Sequence, residues 1–244
     1  MKIAVVCAFP HESKAILKHL KPQRYSQEGA FRVIRATYLS HKILLVATGM
    51  GTRNAEEALE WVLQVFNPAL VLSIGFGGAL YENADIGDLI MATSISLVSG
   101  GVLKTIQIPD ACALVDKLRG NTTIRAGHFL TLERWMEKET VKGLLPPEIA
   151  FPVCDMETFP LAKLTRQRQL PFLAVRSITD RADEDIPRAL LRVNDASGNY
   201  RSLRAIFLLL GKPWLIPVAI RLGRRSRVAS ENLWRTVETL AKIL

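Results

Sequence analysis

The chain lacks the features that would place it in several large classes. No uninterrupted apolar run of roughly 18 residues occurs, so no transmembrane helix is expected. Its opening, Ile3-Ala-Val-Val6, reads as a strand, without the basic stretch and long apolar region of a secretory leader. Three cysteines (Cys7, Cys112, Cys154) at wide spacing make neither a disulfide framework nor a metal pattern, and a reduced, cytoplasmic setting follows as the default. The four histidines (His11, His19, His41, His128) form no ligand-spaced cluster, so no metal is expected. Cys7-Ala8-Phe9-Pro10 stands after the first strand, where a dinucleotide-binding turn needs Gly-x-Gly-x-x-Gly. That argues against a nicotinamide or flavin oxidoreductase, and no redox cofactor is expected. No internal repeat or low-complexity linker is found.

Acid is missing locally. Residues 196–230 hold seven basic residues (Arg201, Arg204, Lys212, Arg221, Arg224, Arg225, Arg227) and no aspartate or glutamate. Most of the net charge of +9 therefore sits there, and the rest of the chain is close to neutral. These cations alternate with long aliphatic stretches and not with aromatic platforms, so nucleic acid is not an expected partner.

What is present points to one α/β domain. The 244 residues, 49% of them hydrophobic, suffice for a sizeable core. Strands are expected at residues 2–8, 31–38, 42–47, 69–74, 88–96, 124–130 and 172–178, with 31–38 and 42–47 pairing as a hairpin. Helices are expected at 12–20, from a cap at Asn54 to 66, at 110–118, 156–167 and 232–244. Strands and helices alternate, and the apolar runs are too continuous for a half-exposed sheet. The pattern predicts a three-layer α/β/α sandwich with a central mixed sheet. We read residues 1–244 as a single domain carrying a basic, apolar insertion or lid at about 186–230. That segment contains Ala205-Ile-Phe-Leu-Leu-Leu210 and Trp214-Leu-Ile-Pro-Val-Ala-Ile220, broken by Gly211, Pro213 and Pro217. Its arginine-flanked apolar stretches read as interfacial or lid helices and not as a membrane span.

Two acids stand out. Glu157 opens a predicted helix, and Asp180 ends the apolar strand at 172–178. Ligands of open α/β sheets sit at the carboxyl ends of strands. Two carboxylates brought there by separate elements suit one role on sugar hydroxyls and one in proton transfer. Each has an ordinary alternative. Asp180 could cap a helix, and Glu157 could be a first-turn acid favoured by the helix dipole.

Asp155-Met156-Glu157 followed by Ser177-Ile178-Thr179-Asp180-Arg181-Ala182-Asp183 resembles the signature of the nucleoside phosphorylase and nucleosidase superfamily. The opening Met1-Lys-Ile-Ala-Val-Val-Cys-Ala-Phe-Pro-His-Glu12 is similar to the first strand and loop of the methylthioadenosine/S-adenosylhomocysteine nucleosidases. Thr48-Gly-Met-Gly51 and Ser73-Ile-Gly-Phe-Gly-Gly78 fall at that family's two glycine-rich turns. The resemblance covers roughly residues 1–183, in the family's order. It implies cleavage of the N-glycosidic bond of a purine nucleoside. Asp180 would be the general acid to the base, Glu157 the holder of the ribose 2′ and 3′ hydroxyls, and Glu12 the residue activating the nucleophile. Met156 would pack against the sugar, though alone it reads as a core methionine. Phe76 and Gly77 would line the pocket, Phe76 replacing a small polar residue. Gly127-His-Phe-Leu-Thr-Leu-Glu-Arg-Trp135 falls where the family has Gly-x-x-x-Ser-Gly-Asp-x-Phe, so Trp135 would replace the stacking phenylalanine; a surface or core tryptophan is the alternative.

Phosphorylases of this superfamily show an arginine before the second glycine turn, where this chain has Leu72-Ser73-Ile74-Gly75. Arg53 is the nearest substitute, or else a solvated helix arginine. This favours hydrolysis, with phosphate as the alternative co-substrate. The C-terminal segment is similar to that of the hopanoid-associated phosphorylases, implicated in removing adenine from the lipid nucleoside adenosylhopane. That implies a 5′-substituted, lipid-linked adenosine as substrate and peripheral membrane or lipid contact through residues 200–227. The superfamily also implies a homo-oligomer. The competing reading is a non-catalytic nucleoside- or lipid-binding protein on the same fold.

Overall fold

Strands that are apolar along their whole length need cover on both faces, and this chain supplies it. The computed structural model describes residues 1–9, 12–99, 102–109, 111–118, 123–146, 148–191, 208 and 210–243. They contain ten strands. These are β1 (Lys2–Cys7), β2 (Lys21–Glu28), β3 (Phe31–Tyr38), β4 (His41–Ala47), β5 (Leu70–Ala79), β6 (Leu89–Ser99), β7 (Val102–Gln107), β8 (Ile124–Leu132), β9 (Val153–Asp155) and β10 (Phe172–Asp180). The helices are α1 (Lys14–His19), α2 (Thr52–Phe66), α3 (Ala111–Leu118), α4 (Lys138–Lys142), α5 (Thr158–Gln167), α6 (Arg188–Leu191) and α7 (Ile216–Ile243).

The strands form one mixed sheet in the order β10-β6-β8-β9-β5-β1-β4-β3-β2, with β7 on β6. Helices flank it, α2 packing on α5 and α7 on α1 and α3, which gives the expected α/β/α layering. The sheet also closes on itself, because β5 pairs with β10 in parallel and with β9 antiparallel. Strands β5, β10, β6, β8 and β9 thus make a ring, and β1 to β4 extend from it as an open wing. Every residue of β10 is buried, as its apolar run predicts.

The hairpin of β3 and β4 pairs as expected, Tyr38 opposite His41. Three strands escaped the sequence pattern. β2 is an exposed edge, KPQRYSQE, whose Pro22 lies at a register shift where a ladder N–H is dispensable. β7 is a short partner of β6, and β9 has only three residues.

Two helix boundaries differ from expectation. The N-cap of α2 is Gly51, with φ of 104°, and Asn54 lies inside the helix, its side-chain amide donating to the Met50 carbonyl at 2.9 Å. The closing helix begins at Ile216 and not at 232, so the last third of the segment read as a lid belongs to it. Pro217 does not break α7, because it sits in the first turn, where no intrahelical N–H bond is needed. The second half of α7 buries Ala229, Leu233, Trp234, Val237, Leu240 and Ala241 at helical spacing. Its first half leaves Ile216, Ile220, Arg221, Arg224 and Arg227 exposed. Residues 192–207 and 209, including most of Ala205–Leu210, lie outside the described residues. Among the described residues, no helix is long and apolar enough to cross a membrane.

Candidate active site

The carboxyl ends of β1, β5, β9 and β10 converge on one cavity of about 340 Å³. Six of the residues singled out in the sequence for catalysis or binding line it: Glu12, Phe76, Trp135, Met156, Glu157 and Asp180. Gly77 lines it as well, and a side chain there would run into Val153. Arg53 does not join them. The buried stripe of α2 is Ala55, Ala58, Leu59, Val62 and Phe66, and Arg53 lies off it. Its guanidinium is exposed and pairs with Glu57 one turn on, at 2.7 Å.

Glu12 lies between β1 and α1. It is buried, and both its oxygens accept backbone N–H bonds, one from Phe9 at 2.7 Å and one from Phe76 at 3.0 Å. Gly75 leaves room for it, since a Cβ there would lie 2.9 Å from Glu12 Oε1. His11 and Pro10 lie outside the described residues.

Glu157 is the N-cap residue of α5, yet its side chain makes no cap bond. It instead accepts the Gly51 N–H at 2.8 Å, from the turn before α2. Burial pushes its carboxyl up to about 8, helped by the neighbouring charge of Asp155 and opposed by the Gly51 bond and by Arg176. Asp155 completes β9 and is the anchor beneath. It binds Arg176 at 2.8 Å and accepts the Thr131 hydroxyl at 2.7 Å, and Thr158 closes the same cluster.

Asp180 is the last residue of β10, and the next helix starts only at Arg188, so it caps nothing. One carboxyl oxygen accepts the Thr179 hydroxyl at 2.8 Å, and the other lies 2.5 Å from the ammonium of Lys138. Burial raises its pKa, while Lys138 and Thr179 pull the other way. Cys154 lines the same end, and burial pushes its thiol up to about 12, so it is a neutral wall and not a nucleophile.

The apolar remainder includes Leu132, Met136, Ile186, Leu190 and Leu222, the last from α7. The loop after β10 is tied to α7 by Glu184, which takes two bonds from Arg225 at 2.5 and 3.1 Å. This pairing holds Glu184 down at about 2 and takes Arg225 out of the set of free surface cations. Lys138, Thr179 and Asp155 carried no role in the sequence reading, whereas Leu222 and Ser226 fall in the segment it read as a lid. For Asp155 a signal existed, because it opens the Asp-Met-Glu motif. Among the described residues, no group of three or more histidine, cysteine or acidic side chains could hold a metal ion.

Three comparisons bear on this arrangement. A family model described as the phosphorylase superfamily matches residues 2–205. An aminodeoxyfutalosine nucleosidase from Campylobacter jejuni is 24% identical over 200 residues, 75% of this chain and 87% of that protein. A 5′-methylthioadenosine/S-adenosylhomocysteine nucleosidase from Hydrogenovibrio crunogenus is 22% identical over 207 residues, 76% of this chain and 88% of that protein. The crystal structure of the Helicobacter pylori 5′-methylthioadenosine/S-adenosylhomocysteine nucleosidase superimposes with a TM-score of 0.77 at 16% identity, covering 100% of this chain and 99% of that one. At that identity the likeness is one of fold.

Proposed function

Since the chain belongs to the phosphorylase superfamily, we propose that it is a nucleosidase, hydrolysing the N-glycosidic bond of an adenine nucleoside with a substituent at the 5′ position. The observation that carries this reading is the meeting of three buried acids, Glu12, Glu157 and Asp180, around one cavity at the carboxyl ends of the strands. Asp180, whose proton is held by burial, gives it to the departing base. Glu157 accepts the ribose hydroxyl bonds, which strengthen as positive charge develops on the ring. Glu12, held by two N–H donors, takes a proton from the water that attacks the sugar carbon. Met156 and Phe76 would pack on the sugar and Trp135 on the base. The names of the relatives, which act on adenine nucleosides substituted at the 5′ position, support the substrate class.

Water is favoured over phosphate. Among the described residues the cavity lining contains no arginine, and its one lysine, Lys138, is engaged by Asp180. Neither phosphate nor any other cofactor is part of this reading.

The finer proposal is a lipid-linked substrate, of the adenosylhopane kind. The apolar wall of Leu132, Met136, Ile186, Leu190 and Leu222 supports it. So does the first part of α7 with the residues just before it, where Trp214 (66% exposed) and Ile220 (53% exposed) stand near Arg221 and Arg224. Such a face suits peripheral contact with an anionic bilayer from the cytoplasmic side. Residues 186–230 would then act as a lid within a single domain, and the protein would work as a homo-oligomer, which light scattering reads directly.

The test is adenine release from methylthioadenosine, adenosine and a long-chain 5′-alkyl adenosine, with and without phosphate. Release without phosphate is expected, with the long-chain compound preferred. Release only with phosphate would make the protein a phosphorylase. Release from methylthioadenosine but not from the long-chain compound would remove the lipid reading and keep the nucleosidase. No release from any of the three would make the protein a binding module on this fold.

A further inference from the structure

We propose that Lys138 is the positioning residue of the general acid: it fixes the Asp180 carboxyl and carries the countercharge for the carboxylate left when the proton moves to the base. The inference rests on the nucleosidase reading above and adds a residue to it.

Lys138 is buried, and both its side chain and that of Asp180 are 7% exposed. Its ammonium reaches Asp180 Oδ2 at 2.5 Å, the Asp180 carbonyl at 3.2 Å and the Arg181 carbonyl. Three acceptors match the three N–H donors of an ammonium, so the group has no reason to swing away. Its own backbone N–H is fixed by Asp185 Oδ1 at 3.1 Å. The contact depends on a glycine. A Cβ at Gly78 would lie 2.6 Å from Asp180 Oδ2 and 3.0 Å from Lys138 Cε, so a side chain there would drive the pair apart.

The other charged or titratable groups near Asp180 do not replace this cation. Glu184 and Arg225 neutralise each other, Asp185 is bound to the Lys138 backbone, and Cys154 stays a neutral thiol. Proton transfer from Asp180 to the base creates a carboxylate in a site that water barely reaches. An unpaired buried carboxylate is costly. With Lys138 beside it the anion is paired at once, which makes Asp180 a better acid than burial alone would allow.

The experiment compares pH profiles of kcat for the natural chain, Lys138→Met, Lys138→Gln and Lys138→Arg, with Asp180→Asn as control. Activity needs the protonated acid and falls as pH rises through its pKa. Removing the positive charge raises that pKa. We expect Lys138→Met to lower kcat by about 10- to 100-fold, to leave KM nearly unchanged, and to move the basic limb upward by about one pH unit or more. Should Lys138→Met fail to fold, as judged by its melting curve, Lys138→Gln, similar in length and uncharged, must show the same upward limb. Lys138→Arg keeps the charge and is expected to keep the limb in place. A lower kcat at every pH with an unmoved limb would reduce Lys138 to a structural role and overturn the proposal. So would a limb that moves as far in Lys138→Arg as in the uncharged variants. If the natural chain releases no adenine, the nucleosidase reading has failed; if it does and Asp180→Asn releases it at the natural rate, the assignment of Asp180 as the acid has failed; this inference falls in either case. An active natural chain, an inactive Asp180→Asn and an unmoved limb sink this inference alone.

Discussion

Glu157 and Asp180 stand on the same cavity, both buried and both held above the usual carboxylate range, yet by opposite surroundings. Asp180 has a cation of its own, Lys138, in direct contact. Glu157 has acids for neighbours, Asp155 and Glu12, and its nearest arginine, Arg176, is already bound to Asp155. Its direct partners are the N–H groups of Gly51 and, at 3.3 Å, of Met156. One carboxyl is thus paired inside the protein. The other gains its cation only when a positive charge arrives from outside, such as the charge that grows on a ribosyl group as its bond breaks. Two acids of one kind are made to differ by what lies within about 4 Å of them.

The comparison predicts unequal losses. Asp180→Asn removes the proton that the base must receive, and adenine release should fall by about 10²- to 10⁴-fold. Above about pH 8, where this carboxyl is ionised, Glu157→Gln keeps the shape and loses the charge. Its kcat/KM should fall by about 10- to 100-fold, the size of a hydrogen bond to a charged group, and it should lose the preference for ribose over 2′-deoxyribose. Equal losses on 2′-deoxy and ribose substrates in Glu157→Gln would break the distinction between the two acids.

A stability measurement sharpens it. Glu157 has its folded-state pKa raised from 4.5 to about 8. A group shifted upward lends its full stability below its unfolded pKa and loses it as pH rises through the folded one. The melting temperature should therefore fall between about pH 5 and pH 8, and Glu157→Gln should flatten that fall. A slope unchanged in Glu157→Gln would mean that this carboxyl is not the group responsible. The smallest effect belongs outside the cavity. Arg53→Ala removes an exposed ion pair with Glu57 and should leave kcat/KM within about twofold, as surface pairs usually do. A larger drop, restored by phosphate, would bring Arg53 back as an anion-binding group.

Much of this site is written in local patterns. Asp180 is legible because the apolar run Phe172–Ile178 leads almost straight to it, and Glu157 because a helix starts at its back. Lys138 is not, since Glu137 and Glu139 flank it like an ordinary solvated charge run and its partner lies 42 residues on. Arg53 takes the solvated-helix alternative, and the signal was there: the apolar spacing of α2 already leaves it on the outer face with Glu57. The edge strand β2 is hidden because an exposed edge needs no apolar alternation. The early start of α7 is hidden because Pro213 and Pro217 look like breaks when they are in fact a helix entrance.

The closed ring of β5, β10, β6, β8 and β9 has a consequence for how this cavity can change. Glu157 and Asp180 are set by the ring's strand ends, and Glu12 by β1 alongside it, so altering those strands disturbs several of the acids together. Ile186, Leu190, Leu222 and Ser226 come from elements beyond the ring and touch the same cavity. New side chains at those four positions alter what fits while the acids keep their aim. For an engineer the molecule is a fixed cutting edge with an exchangeable jaw, and Leu222 and Ser226, one turn apart on α7, are where the jaw is changed.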